Sequence, residues 1–265
     1  RPEAIGRDDE GGALYMVGHT HIDTAWLWPV RETIRKCART FATACRLMER
    51  FPQFHFSCSQ AQLYAYTKAH YPALYDEMRR WIEAGRWHTT GAMWIEADCN
   101  VTSGESLVRQ LLHGIRFFQE EFGTRPRCCW LPDVFGYPAS LPQILSGAGV
   151  PYFFTYKLHW QSRNPFPAHL FQWEGIDGSR VLGHIPLLVH GYNGTPTPRQ
   201  LQFAWDEFRQ KDSYPELMFP YGYGDGGGGP TAEMVQQLEI AADYPGLPRC
   251  RTGGEETFFE EAAAS

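Results

Sequence analysis

The chain has 265 residues, of which 43% are hydrophobic and 15% aromatic, and its formal net charge is −6. This composition supplies a sizeable core and argues against global disorder. No basic stripe is visible, which argues against nucleic acid as the main partner. No apolar run approaches the roughly 18 residues of a membrane-spanning helix.

The seven cysteines contain no C-x-x-C pair, and their number is odd. Residues 1–12 are polar and lack the apolar segment of a secretory signal. We therefore expect reduced thiols, a cytoplasmic location, and a disordered or loosely attached segment at 1–12.

Apolar spacing predicts strands and helices that alternate along the chain. The predicted strands are at 13–17, 54–58, 86–94, 126–131, 152–156, 169–173, 180–185 and 217–221. The predicted helices are at 30–50, 61–70, 72–84, 141–148, 198–211, 231–242 and 253–265, with one more after a capping box at Thr102-x-x-Glu105. This alternation predicts an α/β fold over 13–265, an incomplete seven-stranded β/α barrel-like domain with a mainly parallel sheet.

The residues after the first strand, V-G-H-T-H-I-D-T-A-W-L-W, concentrate groups that bind metals and flat ligands. On an extended backbone His19, His21 and Asp23 point the same way, because side chains alternate. An imidazole and a carboxylate two residues apart can ligate a divalent metal, and Trp26 can form an apolar wall beside them. The alternative interpretation is a strand end with a buried, hydrogen-bonded histidine.

Two later strand ends also present aspartates, Asp133 in W-L-P-D-V-F-G and Asp225 in Y-G-D-G. Prolines and glycines can fix a tight backbone that turns the carboxylate outward, although such an aspartate can also bond to its own turn. The glycines at 226–229 allow close approach to a ligand, or form a flexible tip. They lack the Lys-Ser/Thr of a P-loop, so we do not predict nucleotide binding.

Five segments in this order resemble the class II α-mannosidases, glycoside hydrolase family 38. The segments are H-T-H-I-D-T-A-W-L-W, G-A-M-W-I-E-A-D-C-N-V-T-S-G-E-S-L-V-R-Q, W-L-P-D-V-F-G-Y-P, N-P-F-P with F-Q-W-E-G-I-D-G-S-R-V, and Y-G-D-G-G-G-G-P-T. They span about 13–255, and the last one is similar to the bacterial and cytosolic branch.

The resemblance implies a retaining hydrolase of terminal α-D-mannosides that uses zinc, with cobalt as another candidate ion. Its metal ligands would be His21, Asp23 and Asp133, and Asp133 would also be the nucleophile. Asp225 would be the general acid/base, and His19 would orient the ligand loop. The family's fourth ligand is a histidine in a downstream motif, so we expect it beyond Ser265.

The resemblance also implies substrate contacts from Trp26 and Phe135, which would stack on the sugar, and from Lys157 and Tyr192, which would contact hydroxyls. The expected partners are mannosides, with no nucleic acid or membrane, and either further domains of the same protein or a second copy. Two alternatives stay open: a metal-dependent polysaccharide deacetylase-like enzyme, and an inactive carbohydrate-binding fragment of a mannosidase.

Overall fold

The computed structural model describes residues 13–161, 163–189, 191–242 and 244–265. The segment 1–12, which we expect to be loosely attached, lies outside the described residues. The strands are β1 (Ala13–Gly18), β2 (Phe56–Cys58), β3 (Trp87–Thr89), β4 (Cys128–Trp130), β5 (Tyr152–Phe154), β6 (Leu170–Glu174), β7 (Arg180–His184), β8 (Glu216–Tyr221) and β9 (Arg249–Thr252). The helices are α1 (Val30–Arg50), α2 (Ala61–His70), α3 (Pro72–Glu83), α4 (Gly104–Phe122), α5 (Leu141–Gly147), α6 (Pro198–Glu207), α7 (Ala232–Ala241) and α8 (Glu255–Ala264), with a 3₁₀ turn at Lys157–His159.

The described strands form three small sheets, with strand orders β8-β1-β9, β2-β3 and β4-β5-β7-β6. Every pair in them is parallel except β6 with β7, which form an antiparallel hairpin. An isolated parallel bridge from His19, the residue directly after β1, to Ser57 of β2 links these two strands. The α/β fold with mainly parallel pairing is therefore confirmed. The seven-stranded barrel-like arrangement is not confirmed, because the hydrogen bonding divides the strands among three sheets.

Strand β1 is buried on both faces, which explains its continuous apolar run. Leu14 and Met16 pack into a core shared with α1, whereas Tyr15 and Val17 pack into a second core. Residues of β4, β5, β7, β8 and α8 complete that second core. The first and third sheets therefore share a buried interior, although no ladder of backbone hydrogen bonds joins them among the described residues.

Helix α1 has the predicted bounds, and Cys37, Phe41, Cys45 and Met48 are buried along one of its faces. All seven cysteines are free thiols, as expected. Among the described residues, no helix is both long and apolar enough to span a bilayer.

One local prediction was wrong, and one strand was missed. The side chain that caps α4 belongs to Ser103, which accepts from the backbone N–H of Ser106, and not to Thr102. Strand β9 was not predicted, because its four residues, R-C-R-T, alternate between exposed and half-buried positions and contain no apolar run.

The first turn of α8 carries a partly buried carboxyl group whose titration should change stability. Glu256 Oε1 accepts the backbone N–H of Arg127 at 2.6 Å, and burial raises the pKa of Glu256 from 4.5 to about 7. A carboxyl group whose pKa rises on folding stabilises the folded state when protonated. Its contribution is full below pH 4.5 and is lost as the pH rises through about 7.

We therefore expect Glu256→Gln to equal the parent in stability near pH 4.5 and to exceed it at pH 8 by up to roughly 3 kcal/mol. The amide keeps the acceptor for Arg127. Thermal unfolding at both pH values measures the difference. The control is Glu105→Gln, in the exposed first turn of α4. A difference between parent and Glu256→Gln that does not change with pH would contradict the assignment.

Candidate active site

Loops that follow the carboxyl ends of strands bring polar side chains to one side of the sheets. Asp23 follows β1, Glu96 follows β3, Asp133 follows β4, Tyr192 follows β7 and Asp225 follows β8. Within each sheet the parallel strands end at one edge, and the contacts of His21 with Asp133 and Glu96 bring the edges of the three sheets together. The structure therefore places these sequence-predicted residues, together with Glu96, on one side of the fold.

His21, Asp23 and Asp133 converge at this side. His21 is buried, and its Nε2 lies 3.5 Å from Asp23 Oδ1 and 3.8 Å from Asp133 Oδ2. One ligand atom from each residue lies within 4.8 Å of the others. No second group of three such side chains gathers in the parts of the chain that the structure describes. His19, which sequence alternation placed with this group, does not join it.

The donor set of these three residues fits a divalent cation. His21 Nε2 is buried and has no hydrogen-bond partner in the described structure, although it faces two carboxylates. In tetrahedral zinc sites, ligand atoms about 2.1 Å from the metal lie about 3.4 Å from one another. The distances of 3.5 and 3.8 Å are near that spacing. One imidazole and two carboxylates are also ligands that zinc and cobalt accept.

A third carboxylate lies behind His21 and was assigned no role in the sequence analysis. Glu96 Oε2 is 2.8 Å from His21 Nδ1, and its side chain is only 4% exposed. The two groups form an ion pair when the ring is protonated. Burial lowers the pKa of His21, but Glu96 and Asp23 outweigh burial and raise it well above its ordinary value.

Asp133 also contacts a buried lysine. Lys157 Nζ lies 2.5 Å from Asp133 Oδ1, so the two oxygens of this carboxylate face an ammonium and an imidazole. The same Nζ lies 4.2 Å from the ring centre of Phe135 and 3.6 Å from that of Trp160. Both rings are more than half exposed. They form an exposed aromatic pair beside Asp133. Phe135 is one of the predicted sugar-stacking residues, and Trp160 is not.

The carboxylate of Asp225 is held by two side chains from the loop that follows β7. Tyr192 donates its hydroxyl to Asp225 Oδ1 at 2.7 Å, and Asn193 Nδ2 donates to Oδ2 at 3.4 Å. Burial and the bond to Asp225 raise the pKa of Tyr192, so its hydroxyl stays protonated. Asp225 itself is exposed and has a left-handed backbone, with φ of 49°. Its carboxylate is therefore turned outward and fixed on one side.

The glycine-rich loop after Asp225 packs on the protein and is not a free tip. Arg39 donates to the carbonyl of Gly226 at 2.6 Å, and Thr40 donates to that of Gly227. Gly224 has no room for a side chain, because a Cβ there would lie 2.3 Å from the Tyr192 ring. Glycine at 224 thus lets this loop lie directly against Tyr192.

The remaining predicted residues lie at the edge of the site or behind it. Trp26 is 54% exposed, and its ring stands edge-on to Trp28 at 5.2 Å. His19 donates from Nε2 to the carbonyl of Tyr192 at 2.8 Å, and burial lowers the pKa of His19 to about 4. His19 therefore holds the strand end against the Tyr192 loop as a neutral imidazole.

Some residues of the site went unassigned although their segments had been singled out. Glu96 lies in the motif G-A-M-W-I-E-A-D-C-N, and Asn193 directly follows Tyr192. Trp160 lies three residues after Lys157, a spacing that the 3₁₀ turn closes. The sequence signal for all three is a polar or aromatic side chain in or next to a motif that carries predicted site residues.

A buried imidazole and two carboxylates, beside exposed aromatic rings at the carboxyl ends of parallel strands, define an α/β enzyme domain with a candidate metal centre. Comparison with known proteins gives the family. The chain belongs to glycosyl hydrolase family 38, whose N-terminal domain it matches over residues 12–265.

Its relatives include α-mannosidases. Alpha-mannosidase 2C1 from Homo sapiens is 45% identical over 93% of this chain and 24% of that protein. Alpha-mannosidase G from Dictyostelium discoideum is 43% identical over 94% of this chain and 23% of that protein. The crystal structure of an alpha-mannosidase from Enterococcus faecalis V583 has a TM-score of 0.76 at 20% identity, over 96% of this chain and 29% of that one. The chain spans about a quarter of the length of these curated relatives.

Proposed function

We propose that residues 13–265 form the catalytic α/β domain of a retaining α-mannosidase that hydrolyses terminal α-D-mannosides. The observation that carries the proposal is the convergence of His21, Asp23 and Asp133 in a member of glycosyl hydrolase family 38. The identity to α-mannosidases over most of the chain supports mannose as the sugar.

His21, Asp23 and Asp133 would hold a divalent metal, zinc or cobalt, which when bound supplies positive charge to sugar hydroxyls. The chain's own residues then place the reacting groups. Lys157 offsets part of the charge of the carboxylates through its contact with Asp133. The exposed rings of Phe135 and Trp160 offer a stacking surface for the apolar face of a sugar.

Catalysis follows from two carboxylates with different roles. In the first step an oxygen of Asp133 bonds to the anomeric carbon, the glycosidic C–O bond breaks, and Asp225 gives a proton to the leaving oxygen. In the second step Asp225 takes a proton from water, the water oxygen bonds to the anomeric carbon, and the ester to Asp133 breaks. Two inversions at one carbon retain its configuration.

The test is metal removal from the protein that carries this chain, in its longest available form. We expect dialysis against a chelator to abolish release of an aryl α-mannoside's leaving group, and added zinc or cobalt to restore it. We expect a metal at 100 times its dissociation constant to stabilise the protein by about 2.7 kcal/mol, seen as a higher melting temperature. His21→Ala should lose both effects, whereas His70→Ala, an exposed position on α2, should keep them.

The same samples separate the alternatives. Release of acetate from acetylated sugars, with no turnover of the mannoside, would favour a deacetylase. Zinc bound at less than one ion per chain, with neither activity, would favour a carbohydrate-binding fragment. Turnover of the mannoside that survives complete metal removal would contradict the metal-dependent mechanism.

A further inference from the structure

Glu96 is a buried carboxylate with no role in the steps above. Its side chain is 4% exposed, and its ion-pair partner among the described residues is His21. Its Oε1 accepts the hydroxyl of Ser59 at 2.6 Å, while Oε2 lies 2.8 Å from His21 Nδ1. Burying a carboxylate is costly unless it has a hydrogen-bonding or charged partner. Both oxygens of Glu96 are committed to such partners, and one of these partners is a candidate metal ligand.

The contact with Glu96 determines which nitrogen of His21 carries the proton. A lone pair on Nδ1 would be repelled by a carboxylate oxygen only 2.8 Å away, so Nδ1 carries hydrogen. In the neutral ring, Nε2 is then the nitrogen with the free lone pair. That lone pair faces Asp23 and Asp133, at 3.5 and 3.8 Å.

A neighbouring amide fixes the loop that carries His21 to the segment that carries Glu96. Gln60 Nε2 donates to the carbonyl of Ile22 at 2.9 Å and to Glu96 Oε1 at 3.5 Å. Gln60 Oε1 accepts from the hydroxyl of Thr24 at 3.0 Å and from the backbone N–H of Glu96 at 3.3 Å. Gln60 is buried and adopts a left-handed backbone, with φ of 68°. A left-handed backbone costs free energy in a residue other than glycine. At Gln60 it places the side-chain amide where it makes four hydrogen bonds between the two segments.

We propose that Glu96 is a positioning residue of the metal site: it keeps the proton of His21 on Nδ1, directs Nε2 at Asp23 and Asp133, and strengthens Nε2 as a ligand. This inference rests on the proposed metal-dependent function. Carboxylates behind a ligating imidazole fix its tautomer and raise its basicity, and their loss typically lowers metal affinity about 10–100-fold. Glu96 touches neither sugar nor reacting atoms in this scheme, so its effect should pass through the metal.

The experiment measures zinc affinity by competition with a chromophoric chelator, for the parent protein, Glu96→Gln and Ser59→Ala. Glu96→Gln keeps the size of the side chain and removes its charge. We expect it to weaken zinc binding about 10-fold or more. Ser59→Ala removes the hydroxyl bond to Oε1 and leaves both the Gln60 bond and the contact with His21, so we expect a change of about threefold at most. With zinc in excess, kcat of Glu96→Gln should return to near the parent value, which a general structural defect would not allow.

Nitrogen NMR of His21 in the zinc-bound parent protein provides a second readout that needs no variant. We expect a protonated Nδ1 and a metal-bound Nε2. The opposite tautomer would overturn the inference, and so would equal zinc affinities of parent and Glu96→Gln. Failure of the parent protein itself to bind zinc would instead overturn the proposed metal-dependent function, so the two failures are distinguishable.

Discussion

Asp133→Asn is expected to lower kcat for an activated α-mannoside by a factor on the order of 10⁴ or more. The amide has nearly the shape of the carboxylate but cannot form the ester intermediate. The substitution also weakens the metal site, because one of its two carboxylate ligands becomes a neutral amide. Steady-state kinetics and the zinc content of the same preparation measure the two effects together.

A matched control and a covalent label separate the nucleophile from a general electrostatic effect. Asp206→Asn removes an exposed carboxylate of α6 that accepts a bond from Gln202, and we expect activity to be unchanged. A mechanism-based reagent that traps the mannosyl ester should label Asp133 in the parent. Retention of parental kcat in Asp133→Asn, or a label on another carboxylate, would show that the nucleophile is assigned wrongly.

The elements that sequence predicted well are those whose burial is periodic. Helix α1 keeps one buried face over its whole length, and β1 is apolar without interruption because helices and the interior cover both its faces. Strand β9 lies beside β1 with alternating exposure, so nothing local marks it as a strand. The number of sheets could not be predicted from apolar periodicity either. Strands as short as β2 and β3 pair over only three residues, which is too few to show which strands are neighbours.

The sequence predicted which residues could bind the metal, but it did not predict how neighbouring side chains contact them. Motif resemblance pointed to His21, Asp23 and Asp133, and the structure brings their ligand atoms together. The contact of Lys157 with Asp133 depends on the register of β4 on β5, which sets their following loops side by side. Glu96 reaches His21 through packing of the loops after β3 and β1, which no local pattern encodes.

The arrangement also separates two carboxylates by their surroundings. Asp133 lies between Lys157 and His21, in contact with charged or chargeable groups. Asp225 is exposed, and its hydrogen-bond partners among the described residues are the neutral donors Tyr192 and Asn193. A nucleophile must stay ionised, and an acid/base must exchange its proton with substrate and water, so these surroundings suit the proposed roles.

Asp225→Asn is expected to reduce activity to an extent that depends on how strongly the leaving group needs a proton. For a mannoside with an alkyl or sugar leaving group, which needs a proton to depart, we expect kcat/KM to fall about 10²–10⁴-fold. For an aryl mannoside whose phenolate leaves without protonation, the first step should remain fast. The second step, which needs a general base for water, should then become slow and give a burst of phenolate. Asparagine tolerates the left-handed backbone at 225, so the loop should keep its conformation.

Azide distinguishes loss of the acid/base from collapse of the loop, because this anion attacks the mannosyl ester without a general base. We expect azide to accelerate turnover of the aryl mannoside by Asp225→Asn and to yield the α-mannosyl azide, with no such acceleration in Asp133→Asn. Tyr192→Phe leaves Asp225 in place but removes the hydroxyl that fixes its Oδ1. It should therefore lower kcat without creating a dependence on azide. If Asp225→Asn slows all leaving groups equally and azide has no effect, another group is the acid/base, and Asp225 serves only to hold the loop against Tyr192.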